Sequence, residues 1–529
     1  MAVALAIGAC GGSHTGSGAA GKTVSVAPVQ VVGQVSLSGG AIDRLPARSW
    51  VVSFDVRLAP GGRLVVGLGY GGAPVTLSGV GGGLRVALPY GGSYALTTPP
   101  GWLGGDWWHF EATNTRLAID GRSLPVRPSS ANSITFRSAV GRPQVDALIA
   151  TAAADGGLVL PHRLAELHAR IPAGQFPVGA TVGGRIVYSS TYWTSGFWPG
   201  ALWQAAALAP GGGLFARWAL RATLEHLGQE RADTHDVGFM YGESSLAAWQ
   251  ALCRSRSGAA SASCALLKRS VLSAADELLA LAATNPGAGA IPTNATSRQA
   301  DTIVDSMMNI AILPWASRVT GNPAYARLAS HQAQLVERLL MRSDGSTAQT
   351  VNFDRATGRV LAIGTHQGLS NSSTWSRGEG WAVYGFAQAA VDLHDRGLLR
   401  VALRAANFVA SHLPAGAIPL WDYAAAAGAP DVSAGVITAA GLLHLASACR
   451  DLAGVCSRAP GRWVALGRRM LAAALGRASD QPPLGFLGSQ VLDEHRRGCW
   501  CDGGELIFGL TYALEGLRLE QMMEHIPGA

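Results

Sequence analysis

Between residues 48 and 152, apolar and polar positions alternate with the period of strands that bury one face. From Trp50 to Leu58, Val52, Phe54, Val56 and Leu58 alternate with Ser53, Asp55 and Arg57. Arg63 to Tyr70, Leu84 to Tyr90, Trp107 to Asp120 and Ile134 to Ala150 have the same character. Glycine pairs punctuate them, at 61–62, 71–72, 81–83, 91–92 and 104–105, and Asp120-Gly121 is a hairpin turn signal. Short strands with regular turns predict a small all-β sandwich over 27–152.

From about residue 160 the period becomes helical. Apolar segments with that spacing fall near 161–171, 200–208, 213–228, 243–257, 262–283, 302–319, 323–342, 378–395, 397–412, 433–453, 461–476 and 503–522, with no convincing long strand among them. A dozen helices with short connectors bury themselves economically as paired inner and outer layers, an (α/α)6 barrel over 153–529 whose loops form a funnel at one end. An open solenoid would need a repeat, and no fixed sequence repeat is present.

Composition supports two folded parts in the 529 residues, with 48% hydrophobic and only 14% charged positions. The net charge is +7, and only Lys22 and Lys268 among the 41 basic residues are not arginine. No basic run or aromatic RNA-binding motif occurs, which excludes nucleic acid as a partner. Diffuse arginine suits small anionic substrates, because the guanidinium forks onto carboxylate or sulfate, although genomic composition would give the same excess.

The apolar start Met1–Gly12 resembles a bacterial lipoprotein signal with Cys10 as the lipidated residue, and Gly/Ser/Ala-rich 11–26 as a tether. That pattern predicts an extracytoplasmic protein, secreted or held at a membrane through Cys10 alone. An oxidising compartment permits disulfides, and Cys253–Cys264 and Cys449–Cys456 are plausible short-loop pairs. Cys499 and Cys501 are too close to bond without strain, and no zinc-ligand spacing is evident.

Polar and aromatic clusters stand between the helices. Tyr192-Trp193-Thr194-Ser195-Gly196-Phe197-Trp198-Pro199-Gly200 supplies aromatic rings that suit a sugar-stacking wall, or packing beneath a helix start. Asp233-Thr234-His235-Asp236 precedes an apolar run, with helix capping by Asp233 as the plain alternative. Asp301 and Asp305 are spaced to share one helix face, and Asp305 lies beside Met307, Met308, Ile310 and Ile312. A carboxyl in apolar surroundings keeps its proton toward neutral pH, as a general acid must. Thr365-His366-Gln367-Gly368 and Trp375-Ser376-Arg377-Gly378-Glu379-Gly380-Trp381 offer donors, a guanidinium and two indoles, the inventory of a carboxylated-sugar site.

These segments resemble the unsaturated glucuronyl hydrolases, glycoside hydrolase family 88. The shared patterns are Trp-Thr-x-Gly-Phe-Trp-Pro-Gly at 193–200, His-Asp-x-Gly-Phe at 235–239, Asp-x-Met-Met-Asn at 305–309, Thr-His-Gln-Gly at 365–368 and Trp-x-Arg-Gly-x-x-Trp at 375–381. They occur in order over about 190–517, and the β region lies outside the resemblance. The hairpin from Trp107 to Gly121 bears a weak likeness to laminin-G or concanavalin-like jelly rolls.

The resemblance implies an (α/α)6-barrel monomer needing neither metal nor cofactor. Its substrate is an oligosaccharide left by a polysaccharide lyase, with a C4=C5 unsaturated uronic acid at the non-reducing end. It implies Asp305 as acid and base, Asp236 as its partner, and His235, His366, Gln367, Trp193, Trp375, Arg377 and Trp381 as substrate-binding residues. Two departures stand out. Leu510 and Thr511 replace an Asp and a Tyr of the family's last inner helix, and Glu379-Gly380 replaces a usual Gln-Ala. An Asn-Gly at the latter site is usual in the unsaturated rhamnogalacturonyl hydrolases, family 105. That activity, and a non-catalytic glycan-binding lipoprotein, are the alternatives.

Overall fold

The computed structural model describes the strands between residues 23 and 152 and the chain from 164 to 524, except 209–212, 254–261, 478–503 and a few scattered positions. Cys10, Cys499 and Cys501 lie outside the described residues. The chain divides into two compact units, Met1–Arg170 with Ala205–Arg217, and Ile171–Gln204 with Trp218–Ala529.

The first unit carries two seven-stranded sheets. One runs Thr23–Ser25, Gly40–Asp43, Ser133–Val140, Arg63–Gly67, Val75–Val80, Gly83–Ala87, Ser93–Thr97. The other is built around Trp50–Arg57, which pairs antiparallel with Trp107–Thr113 and Gln144–Ala152. Alternation in the sequence becomes alternation in burial: Leu64, Val66, Val75, Leu77, Leu84 and Val86 have no exposure, while Arg85 between them is open to solvent. Ile119 pairs with Arg122, and Asp120 and Gly121 between them lie outside the described residues. The strands Val75–Val80 and Ser93–Thr97 escape the sequence reading because their flanks are rich in glycine and short. Thr23–Ser25, expected in the tether, is a strand parallel to Gly40–Asp43.

The second unit is the (α/α)6 barrel. Its inner ring consists of Phe197–Leu208, Val237–Tyr241 (continued through a π turn at Gly242–Leu246 into Ala247–Leu252), Ser306–Asn309 with Ile312–Thr320, Ser376–Asp392, Val432–Asp451 and Ile507–Glu524. Inner helices are buried on all sides: every residue from Ser376 to Ala387 is buried. Outer helices bury one stripe, as Leu398, Leu399, Val401, Ala402, Ala405, Ala406, Phe408 and Val409 do in Arg396–His412. Neighbouring inner helices pack in sequence order, and Thr511 Oγ1 donates to the Phe197 carbonyl at 3.0 Å to close the ring. Val432–Asp451 is apolar and long enough to cross a membrane, yet 89% of its most apolar window is buried inside the barrel.

Glycine permits the closest approaches. A Cβ on Gly196 would stand 2.1 Å from the Met240 carbonyl oxygen, and one on Gly238 2.2 Å from that of Asn309. Both disulfides are formed, Cys253–Cys264 and Cys449–Cys456, with Cα atoms 5.8 and 5.7 Å apart.

The helical spacing conceals two three-stranded sheets. Phe176–Ala180 pairs with Ile186–Ser189 and with Glu505–Leu506, so the last inner helix begins at Ile507 rather than 503. Ala300–Ile303 pairs with Thr350–Phe353, which pairs with Val360–Gly364. Asp301 and Asp305 therefore do not share a helix face. Asp301 sits in a strand opposite Asn352, and Asp305 is the residue before Ser306–Asn309. Backbone pairing to a distant strand overrides the local helical period here.

Candidate active site

The polar clusters stand at the N-terminal ends of the inner helices. Asp236 precedes Val237–Tyr241 and Asp305 precedes Ser306–Asn309, and neither side chain makes a capping hydrogen bond. Asp431, at the corresponding place on Val432–Asp451, caps it by accepting from the Ser433 and Ala434 amides. Two of the three carboxylates are thus left out of helix capping, the usual structural employment of such a residue.

Asp305 is half-buried, and its Oδ2 is fully enclosed without a hydrogen-bond partner. Burial raises its pKa from the ordinary carboxyl range to about 6; His235 and Arg377 pull it back, while the charge of Asp236 pushes it further up. An enclosed oxygen without a donor is where a proton resides at low cost. Asp236 is held by Thr234 Oγ1 (3.1 Å to Oδ2), by Asn309 Nδ2 (3.3 Å to Oδ1) and by His235 Nε2 (3.4 Å to Oδ1). His235 is buried and its Nδ1 meets no partner, while its amide donates to the Thr293 carbonyl at 3.0 Å.

His366 and Gln367 belong to a loop organised by Gln349, whose Oε1 accepts from Thr365 Oγ1 and from the His366 and Gln367 amides at 2.7, 2.7 and 2.9 Å. Gln349 Nε2 donates to Gln367 Oε1 at 2.7 Å, and the exposed His366 ring reaches Asp301 Oδ2 at 2.8 Å. Asp301 is thus an anchor for His366.

The aromatic residues separate into two kinds. Trp193 is half-buried over Phe197, Phe239 and Phe508, with ring centroids 5.3–5.7 Å away, and keeps part of its surface open. Trp375 and Trp381 are enclosed, at 4% and 0% exposure, against the expectation that they stack on a sugar. Trp381 packs between Phe239 and Tyr512. Trp375 lies under the Arg377 guanidinium, 4.5 Å from ring centroid to Cζ. Their helix enters the barrel at its first turn, and that turns both indoles into the core. Arg377 is buried as well, bonded to Asp431 Oδ2 at 3.2 Å and to Ser433 Oγ at 3.4 Å. It acts on the site through its charge on Asp305.

No family model matches the chain. Among curated proteins, an unsaturated glucuronyl hydrolase of Bacillus sp. (strain GL1) is 34% identical over 225 residues, 41% of this chain and 56% of the relative. An unsaturated chondroitin disaccharide hydrolase of Streptococcus pyogenes serotype M1 is 28% identical over 194 residues, 36% of this chain and 45% of the relative. The chain thus spans about half the length of these curated relatives, at 56% and 45%. The crystal structure of an unsaturated glucuronyl hydrolase specific for heparin superposes with a TM-score of 0.63 at 25% identity, over 70% of this chain and 97% of that one.

The helical unit is similar in sequence and in fold to the unsaturated glucuronyl hydrolases. Two departures of this chain from the expected pattern now have a location. Thr511 is buried and spends its hydroxyl on the Phe197 and Ile507 carbonyls, and Leu510 is core. Glu379 is enclosed and accepts from the Thr347 amide at 2.8 Å, and burial holds its carboxyl well above the ordinary range. Leu510, Thr511 and Glu379 all lie in the interior, and none of the three is among the charged groups acting on Asp305.

Sequence reasoning missed three features of this helical unit. Asn309 looks like the end of a helical motif, and Gln349 stands in a run without chemical signal. The third is a buried network in the barrel lumen beyond the aromatic floor, around a cavity of about 270 Å³ lined by Glu243, Tyr384, His444, Glu515 and Arg518. Tyr384 Oη donates to Glu515 Oε1 at 2.9 Å, and Tyr512 Oη to Glu243 Oε1 at 3.0 Å. Burial and the neighbouring Glu515 raise Glu243 to about 8. Burial also works against Glu515, but His444, Arg518 and Tyr384 outweigh it and hold that carboxyl low, so Glu243 keeps the proton of the pair. These residues lie far apart in sequence, and only closure of the ring assembles them. Among the described residues, no three His, Cys, Asp or Glu side chains converge as metal ligands.

Proposed function

We propose that the protein hydrates the C4=C5 double bond of the unsaturated uronic acid at the non-reducing end of lyase-generated oligosaccharides. Asp305 carries this reading. Its enclosed, unpartnered Oδ2 and raised pKa beside Asp236 make it a proton donor near neutral pH. Asp305 gives its proton to C4, water adds to the oxocarbenium-like C5, and Asp305 takes the proton that the water loses. The hemiketal at C5 then opens, and the group at C1 leaves as an alcohol. One carboxyl acts first as acid and then as base, so the two-carboxylate spacing of ordinary glycosidases does not govern the reaction. Asp236 orients the water or the ring hydroxyls, His366 and Gln367 bind uronate, and Trp193 stacks on the sugar, while His235, buried against the expectation that it binds substrate, holds the Asp236 carboxylate.

The relatives' names include a chondroitin disaccharide hydrolase and a heparin-specific enzyme, which puts glycosaminoglycan disaccharides first among substrates to try. The test is the loss of the double-bond absorbance when the protein is incubated with a panel of lyase products. Loss with the native protein and none with Asp305→Asn supports the reading; no loss with any product refutes it.

We also propose that the mature protein is extracytoplasmic and held to a membrane by a lipid on Cys10. The pattern before Cys10 and the two disulfides support this. Cell fractionation of the native protein against Cys10→Ser tests it, and a soluble cytoplasmic pool of both refutes it.

A further inference from the structure

Asn309 bridges the Asp236 carboxylate and the backbone carbonyl of Asp305. We propose that it is a positioning residue for the reaction, a clamp that fixes Asp236 against Asp305 so that the charge of one acts on the other. This rests on the reading of Asp305 as acid and base.

Asn309 has no exposure to solvent. Its Oδ1 accepts from the Phe239 amide at 2.7 Å. Only an acceptor can face that N–H, so the amide orientation is settled by the backbone, and Nδ2 is turned the other way. There it donates to Asp236 Oδ1 at 3.3 Å and lies 3.4 Å from the Asp305 carbonyl oxygen. One side chain thus grips the start of the Val237–Tyr241 helix by its backbone and its leading carboxylate, from the helix that Asp305 leads. Thr234 and His235 hold Asp236 from within its own loop; Asn309 holds it from the neighbouring helix.

Glycine removes the slack. A Cβ on Gly238 would lie 2.2 Å from the Asn309 carbonyl oxygen, so the two backbones touch and cannot slide past one another. The charged groups acting on Asp305 are His235, Asp236 and Arg377, and Asn309 supports the one that raises its proton affinity. A carboxylate misplaced by about an ångström is enough to cost on the order of a hundredfold in rate.

The test uses the full chain, with Asn309→Ala and Asn309→Asp. The clamp predicts that Asn309→Ala lowers kcat at least about tenfold while KM stays within about threefold. Asn309→Asp keeps an acceptor for the Phe239 amide, so it retains the structural bond while placing a carboxyl oxygen against Asp236. Its rate profile is expected to shift at the alkaline limb by at least about half a pH unit. Carbon-13 NMR titration of the Asp305 carboxyl, assigned by its absence in Asp305→Asn, is expected to shift likewise and needs no substrate. Wild-type kcat and pH profile in Asn309→Asp, with an unmoved Asp305 titration, overturn the clamp even if Asn309→Ala fails to fold. Native protein inactive on every lyase product refutes the proposed function instead, and the NMR titration then decides the clamp alone.

Discussion

Replacing Asp305 by asparagine removes the proton and changes little else, since Oδ2 has no donor to lose and the side chain caps nothing. With a pKa of about 6, roughly one-tenth of Asp305 is protonated at pH 7; at its ordinary value of 3.8 the fraction is below about one-thousandth. Burial and Asp236 therefore enrich the acid on the order of a hundredfold at neutral pH. Removing the acid costs the proton transfer itself, and Asp305→Asn is expected to lose at least about a thousandfold in turnover with binding kept. The assay is the initial rate of absorbance loss on the best lyase product from pH 4 to 9, with KM from the same series. For the native protein, the acid is complete below a pH of about 6 and is lost as pH rises through it, so the rate falls about tenfold per pH unit on the alkaline side. Near-native turnover in Asp305→Asn, or a native profile without that limb, refutes the assignment.

Asp236→Asn removes the like charge that raises Asp305, so its alkaline limb moves to lower pH and turnover falls comparably; loss of affinity alone would make Asp236 a binding residue. Glu243 binds its proton more tightly in the folded chain, up to a pH of about 8 against 4.5 for the ordinary side chain. Its stabilising effect is complete below about 4.5 and is lost as pH rises to about 8, and Glu243→Gln should flatten denaturant midpoints over that window; an unchanged slope in the variant counts against the protonated Glu243. The disulfides close loops with sequence separations of 11 and 7 residues, and losing either should destabilise the fold by about 2–3 kcal/mol, read as a lower unfolding midpoint in Cys253→Ser or Cys449→Ser.

Much of the fold was legible because periodicity is local. Leu84 and Val86 flank the exposed Arg85 and are themselves fully buried, as the alternation requires. The helical spacing of Arg396–His412 is its buried stripe. Asp236 and Asp305 could be picked out because a carboxylate before an apolar run costs free energy unless it is used, and the structure leaves both side chains out of capping. What the local pattern could not carry is what distant segments do to one another. Asp301 reads as a helical partner of Asp305 until the strand Thr350–Phe353 draws it into a sheet. Trp375 and Trp381 have the composition of a sugar platform, but the depth at which their helix enters the ring buries them against Arg377, Phe239 and Tyr512. Asn309 and Glu243 carry no signal in sequence, because their partners, Phe239 and Asp236 for one and Tyr512 and Glu515 for the other, come within reach only when the inner ring closes. The residue types and their periods determined the elements and the chemistry on offer. The contact of helix against helix, made possible at Gly196 and Gly238, decided which of those groups meet.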